Sequence, residues 1–201
     1  AILSIWDYGV TYCGAEGAPL ASEYALAETM KLYADNNAKH FFWEHEKSYE
    51  DFHSLKHWME AKLLENPYLD GNKLILDFMN GYYGKAAPAM LKYLEYLENT
   101  QKEDRTFLNR TFFETVNKYL DEAEKLAKGD AKSLLHIGQE RVVVDRSMYD
   151  NLAKLLKEGY APDLKKIAQR FLVNGRNTLN NWSSYRKPVK EQKLKKFEQE
   201  A

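Results

Sequence analysis

This chain holds one cysteine, five prolines and ten glycines in 201 residues, and it carries almost no net charge. A single thiol, Cys13, excludes an internal disulfide framework and a cysteine-ligated zinc cluster. No run of eighteen apolar residues exists, so no segment reads as a membrane-spanning helix. A formal net charge of −1 argues against a global basic field and therefore against a nucleic-acid partner. The balance is uneven along the chain, however. Residues 1–66 hold eleven acidic and five basic side chains, so the excess of cations lies after Pro67.

Aromatic residues are plentiful at 13%, with fourteen tyrosines and four tryptophans, while 44% hydrophobic and 29% charged residues suit a globular core. Ile2 to Tyr8 alternates like a strand, with Ser4, Trp6 and Tyr8 on one face and Leu3 and Ile5 on the other. A glycine-rich loop runs from Gly9 to Ser22. Tyr24, Leu26, Ala27, Met30 and Tyr33 are spaced for a helix that Ser22 would cap. His40 to Glu46 reads as a second strand, and Ser48 to Glu65 as a second amphipathic helix stopping before Pro67. Strand, helix, strand, helix is the rhythm of parallel βαβ units.

After Pro67 the strand signal fades. Leu74 to Leu97 repeats apolar residues at steps of three and four, yet Gly84 and Pro88 forbid one straight rod. Two helices meeting at Tyr82-Tyr83-Gly84-Lys85-Ala86-Ala87-Pro88 are expected, with Gly84 at positive φ and the tyrosine hydroxyls in need of partners. A helix from Arg105 to Lys128 should end at Gly129, and another, capped by Asp130, should run to Glu158. The run Val142-Val143-Val144 is assigned to that helix because its flanks keep helical spacing. Pro162 should open a further helix to Tyr185, and a short frayed helix should follow from Pro188.

The blocks Phe78, Gly81-Tyr82-Tyr83-Gly84, Ala86-Ala87, Tyr93-Leu94 and Leu97-Glu98 resemble the signature of domain of unknown function 4838. Ile5-Trp6-Asp7-Tyr8-Gly9, Phe42-Trp43-Glu44 and Leu63-Leu64-Glu65-Asn66-Pro67 extend the resemblance over the first half of the chain. That family occurs in large bacterial proteins similar to glycoside hydrolases, in which a barrel precedes a helical region. The resemblance implies a mainly α chain with a small α/β start. Residues 1–66 would be the last two strand-helix units of a TIM-like (β/α) barrel, and residues 67–201 an all-helical bundle domain. It also implies a bacterial protein that is secreted, periplasmic or on the cell surface. Because the chain opens inside a strand, it is expected to be a fragment whose partners are an upstream barrel domain of the same protein and a carbohydrate ligand, or another copy of itself.

Barrel active sites lie at the carboxyl ends of the strands. Trp6 and Tyr8 end the first strand, Glu44 and Glu46 the second, so these four are the substrate-binding candidates. Rings lie against sugar faces, and carboxylates accept hydrogen bonds from hydroxyls. The catalytic residues are not identified; in related barrels the acid lies on an earlier strand, and this fragment alone is not expected to be active. No cofactor is expected. His53 and His57, at i and i+4, have the spacing of a metal pair but no third ligand, and they read as a solvated helix face. His45 lies between Glu44 and Glu46. Glu140, Arg141, Asp145 and Arg146 read as a helix-stabilising or interhelical ion-pair network, and the basic run Lys187 to Lys196 as a solvated tail. The leading expectation is the carboxyl-terminal part of a carbohydrate-active, glycoside-hydrolase-like protein contributing part of a sugar cleft. The alternative is a non-catalytic helical interaction or spacer module.

Overall fold

The computed structural model describes residues 1–8, 19–44, 51–103 and 107–181, with side chains as far as residue 178. Strand β1 (Leu3–Tyr8) is followed by helix α1 (Glu23–Asp35), strand β2 (Ala38–Glu44) and helix α2 (His53–Glu65). The two strands pair in parallel, as a helical connection requires, with Trp6 opposite Phe42 and Tyr8 opposite Glu44. β2 begins two residues before the expected His40, because Asn37 takes a left-handed φ of 62° that turns the chain out of α1 directly into the strand. Ser22 does not cap α1 with its side chain; the Glu23 carboxylate accepts from the Ser22 amide instead, at 2.8 Å. The stretch 45–50, where α2 was expected to start, lies outside the described residues, as do Cys13, His45 and Glu46.

After Pro67 the described residues form helices joined by turns and short irregular segments, with no strand. α3 (Gly71–Tyr83) begins at Asp70, whose carboxylate accepts from the Lys73 amide at 3.2 Å. It stops at Gly84, with φ 53° and ψ −124°, as the sequence requires. One 3₁₀ turn (Gly84–Ala86) leads into α4 (Ala87–Glu103), with Pro88 in the first turn where a missing amide hydrogen costs nothing. Ala86, Ala87 and Ala89 are buried at this elbow, and the turn packs against the next helix, α5 (Arg110–Leu126). α5 starts later than the expected Arg105 because Asn109 caps it, accepting from the Phe112 amide at 3.0 Å. Its buried stripe is Phe112, Phe113, Val116, Leu120 and Ala123.

Asp130 caps α6 (Ala131–Asp150) as expected, accepting from the amides of Lys132 and Ser133 at 3.1 Å each. The expected continuous helix to Glu158 is broken at Asn151, and α7 (Leu152–Lys157) follows as a separate piece. α8 (Leu164–Asn181) begins where Asp163 accepts from the Lys166 amide at 3.0 Å. The expected end at Tyr185 and the tail from Pro188 lie outside the described residues.

α6 is packed by α3, α5 and α8, which buries it on most sides, including Val142, Val143 and Val144. That enclosure explains why three β-branched residues stay helical here: tertiary packing overrides a weak local preference. One core cluster joins Leu26 and Met30 of α1, Leu55, Met59 and Leu63 of α2, the α3–α4 elbow, α5 and Ile137 and Val144 of α6. Each of its large side chains with no exposed surface contributes about 1.5–3 kcal/mol. Among the described residues no helix is long and apolar enough to cross a membrane.

Candidate functional site

The sheet has two unlike faces. Ile5, Asp7, Phe41 and Trp43 turn toward α1, where the Tyr33 ring lies 5.8 Å from Phe41 and its hydroxyl donates to Asp7 Oδ2 at 2.9 Å. The opposite face carries Trp6, Tyr8, Phe42 and Glu44. Trp6 is 65% exposed, Tyr8 54% and Phe42 53%. Exposure of large apolar residues is unremarkable when single, but here three adjacent rings share one small face and form an exposed aromatic patch.

Within that patch the side chains organise one another. The Trp6 and Phe42 rings meet edge to face with centroids 4.9 Å apart. The Trp6 indole Nε1–H donates to Glu44 Oε2 at 3.1 Å across the strand pair. The carboxylate therefore stands beside the indole, on the same face, at the carboxyl end of β2. Three of the four expected residues, Trp6, Tyr8 and Glu44, are thus brought together, and the fourth, Glu46, lies outside the described residues. Among the described residues no group of three or more His, Cys, Asp or Glu is placed to hold a metal ion. His53 and His57 instead make an edge contact with each other at 4.1 Å.

A second constellation lies inside. The turn before α2 buries Asp51 completely, and the Glu140 carboxyl reaches it from α6. Glu140 Oε2 accepts from the Phe52 amide and Oε1 from the Tyr83 hydroxyl, both at 2.8 Å. Asp51 Oδ2 accepts from the Tyr93 hydroxyl at 2.7 Å. Burial, then the neighbouring Glu140, pushes the Asp51 carboxyl well up from its usual range, and burial raises Glu140 as well. On the α1 side Glu23 is buried 3.9 Å from Lys56 Nζ, and burial outweighs that cation to push its carboxyl up to about 7. Lys56 also donates to the Leu20 carbonyl at 3.0 Å.

The sequence signalled part of this. Tyr82 and Tyr83 demanded partners and found them: the Tyr82 hydroxyl meets Ser54 and Gln139, and its ring stacks on His136 at 3.5 Å. Burial holds the His136 imidazole below its ordinary range, and Nδ1 bonds the Tyr82 carbonyl at 2.7 Å. The expected ion-pair network is present and largely interhelical. Arg141 joins Asp121 and Glu124 of α5, Asp145 joins Arg170 of α8, and Arg146 joins Asp150 on its own helix. Glu140 left that network for Asp51. Nothing in the sequence marked Asp51, since its partners come from helices far along the chain.

The fold and its outer face define a parallel βαβ start, open on one aromatic face, joined to packed helices. Residues 1–95 match the model of a family described as Domain of unknown function (DUF4838). The match takes in both strands, the Tyr-Tyr-Gly elbow and about the first half of α4, so the resemblance holds for the blocks up to Tyr93-Leu94, and the Leu97-Glu98 block lies beyond it. No curated protein and no solved structure matches the chain.

Proposed function

We propose that this chain is the carboxyl-terminal portion of a bacterial carbohydrate-active protein similar to glycoside hydrolases, with the face bearing Trp6, Tyr8 and Glu44 turned to the sugar. Residues 1–66 are read as the last two strand-helix units of a (β/α) barrel and residues 67–201 as the attached helical domain. The observation that carries the reading is the cross-strand bond from the Trp6 indole to Glu44, which sets an aromatic plane and a carboxylate side by side on the face away from the helices. An indole of this kind offers a face to the C–H surface of a pyranose, and a carboxylate beside it accepts hydrogen bonds from sugar hydroxyls. Among the described residues the sheet has two strands and open edges, which suits a barrel completed by other strands of the same protein.

The test is glycan binding by the longest natural polypeptide that contains this chain, measured by calorimetry against soluble plant and microbial oligosaccharides. Trp6→Ala and Glu44→Gln should each weaken binding at least tenfold, about 1.4 kcal/mol. Full affinity in both variants would remove the sugar reading and leave the helical spacer module.

A further inference from the structure

The inner cluster poses a problem of hydrogen-bond accounting. Asp51 and Glu140 are both buried and face each other, and three of their four oxygens accept from the Phe52 amide, Tyr83 and Tyr93. The fourth, Asp51 Oδ1, is buried and receives no donor from any described residue. Two ionised carboxylates in contact away from water would repel strongly, whereas one proton between them supplies the missing donor and removes one charge.

Among the described residues the groups around the pair leave the proton no substitute. From α1 comes Glu23, an acid; from α3 and α4 come Tyr83 and Tyr93, already donating, and Glu98, another acid, lies further along α4. The nearby cations are Lys56 of α2, engaged with Leu20 and Glu23, and Arg141 of α6, engaged with Asp121 and Glu124. The pair also holds a strained element. Phe52 adopts φ 49° and ψ 29°, a left-handed backbone that a bulky residue avoids, and its amide is the one that Glu140 accepts from. Its carbonyl then accepts from Lys56 N at 3.0 Å to start α2.

We propose that Asp51 and Glu140 share one proton, carried on Asp51, and that this acid pair is a pH-sensitive latch fixing the left-handed turn at Phe52, and so the start of α2, to α3, α4 and α6. Asp51 O–H donates to Glu140, and the ionised Glu140 accepts from Phe52 and Tyr83. Loss of the proton as pH rises puts two charges in one buried space and loosens the turn. The folded state holds a proton that the unfolded chain has released, so stability falls with rising pH until the pair has ionised.

The full chain is unfolded in urea from pH 5 to pH 9, alongside Asp51→Asn and Glu140→Gln. Asparagine keeps a donor toward Glu140 and an acceptor for Tyr93 but cannot titrate. The unfolding constant of the wild type should climb up to tenfold more per pH unit than that of Asp51→Asn while the pair titrates, and comparing the two cancels the contribution of Glu23. Glu140→Gln, which loses an acceptor, should be the less stable variant at pH 6. Hydrogen-exchange protection of the Phe52 and Lys56 amides should fall over the same pH range in the wild type alone. Carbon-detected NMR titration of the wild-type Asp51 carboxyl gives an answer even where a variant does not fold. Parallel pH slopes for wild type and Asp51→Asn, or an Asp51 carboxyl that ionises below pH 5, would overturn the proposal.

Discussion

Alanine at Gly84 isolates the backbone cost of the α3–α4 elbow. At φ 53° and ψ −124° the residue sits where L side chains rarely go, which costs about 1–3 kcal/mol for any of them. Space does not add to that cost. A Cβ there would meet Ser133 Oγ at 3.4 Å and Asp130 Oδ2 at 3.7 Å, ordinary contact distances. Removing a glycine also stiffens the unfolded chain and returns about 0.4–1 kcal/mol. The net expectation for Gly84→Ala is a loss of about 1–2 kcal/mol, which moves a urea midpoint down by roughly 0.5–1 M. Gly81 is the internal control. It lies within α3 with nothing within 4 Å of its added Cβ, so Gly81→Ala should stabilise by about 0.5–1 kcal/mol. Two alanines three residues apart should therefore shift the midpoint in opposite directions. Equal shifts, or an unchanged midpoint for Gly84→Ala, would refute the claim that this elbow is set by backbone conformation.

Other perturbations separate the remaining forces. Glu23, raised by burial to about 7 from an ordinary 4.5, stabilises the fold as a neutral acid and loses that contribution as pH rises between those values. Glu23→Gln should flatten the fall in urea midpoint over that window, and an unchanged slope would show the carboxyl to be hydrated. Arg141 has no exposed surface, yet its partner Asp121 is 68% exposed and can rehydrate, so the loss in Arg141→Ala comes chiefly from emptied volume. Arg141→Met should then be more stable than Arg141→Ala by at least about 1 kcal/mol in calorimetric melting. Trp6→Ala, on an exposed site, should change stability by no more than about 0.5 kcal/mol in the same assay.

Period and punctuation made the framework readable from the sequence. The alternation around Trp6, the helical repeat through Leu74 to Leu97, Gly84 and Asp130 each placed an element, because local conformation alone decides such features. The sequence also put Trp6 and Glu44 on faces that could coincide, and the parallel register made them coincide. Boundaries slipped where a competing cap acted, as at Asn109, and where the helix broke at Asn151. The inner acid pair was illegible for a different reason. Phe52 and Glu140 lie 88 residues apart, and a carboxylate written in sequence looks the same whether water or another carboxyl faces it.

The central claim is that the outer sheet face meets sugar, and the indole of Trp6 reports on it directly. Its N–H is held by Glu44, whereas Trp58 lies against Phe78 with ring centroids 5.6 Å apart, away from that face. Proton–nitrogen correlation spectra of the longest natural polypeptide that contains this chain, titrated with soluble oligosaccharides of different backbones, should show the Trp6 indole signal moving with at least one of them. The Trp58 signal should stay fixed, and Glu44→Gln should reduce the shift of Trp6. A Trp6 signal unmoved by every glycan, or one that moves only together with Trp58, would contradict the account.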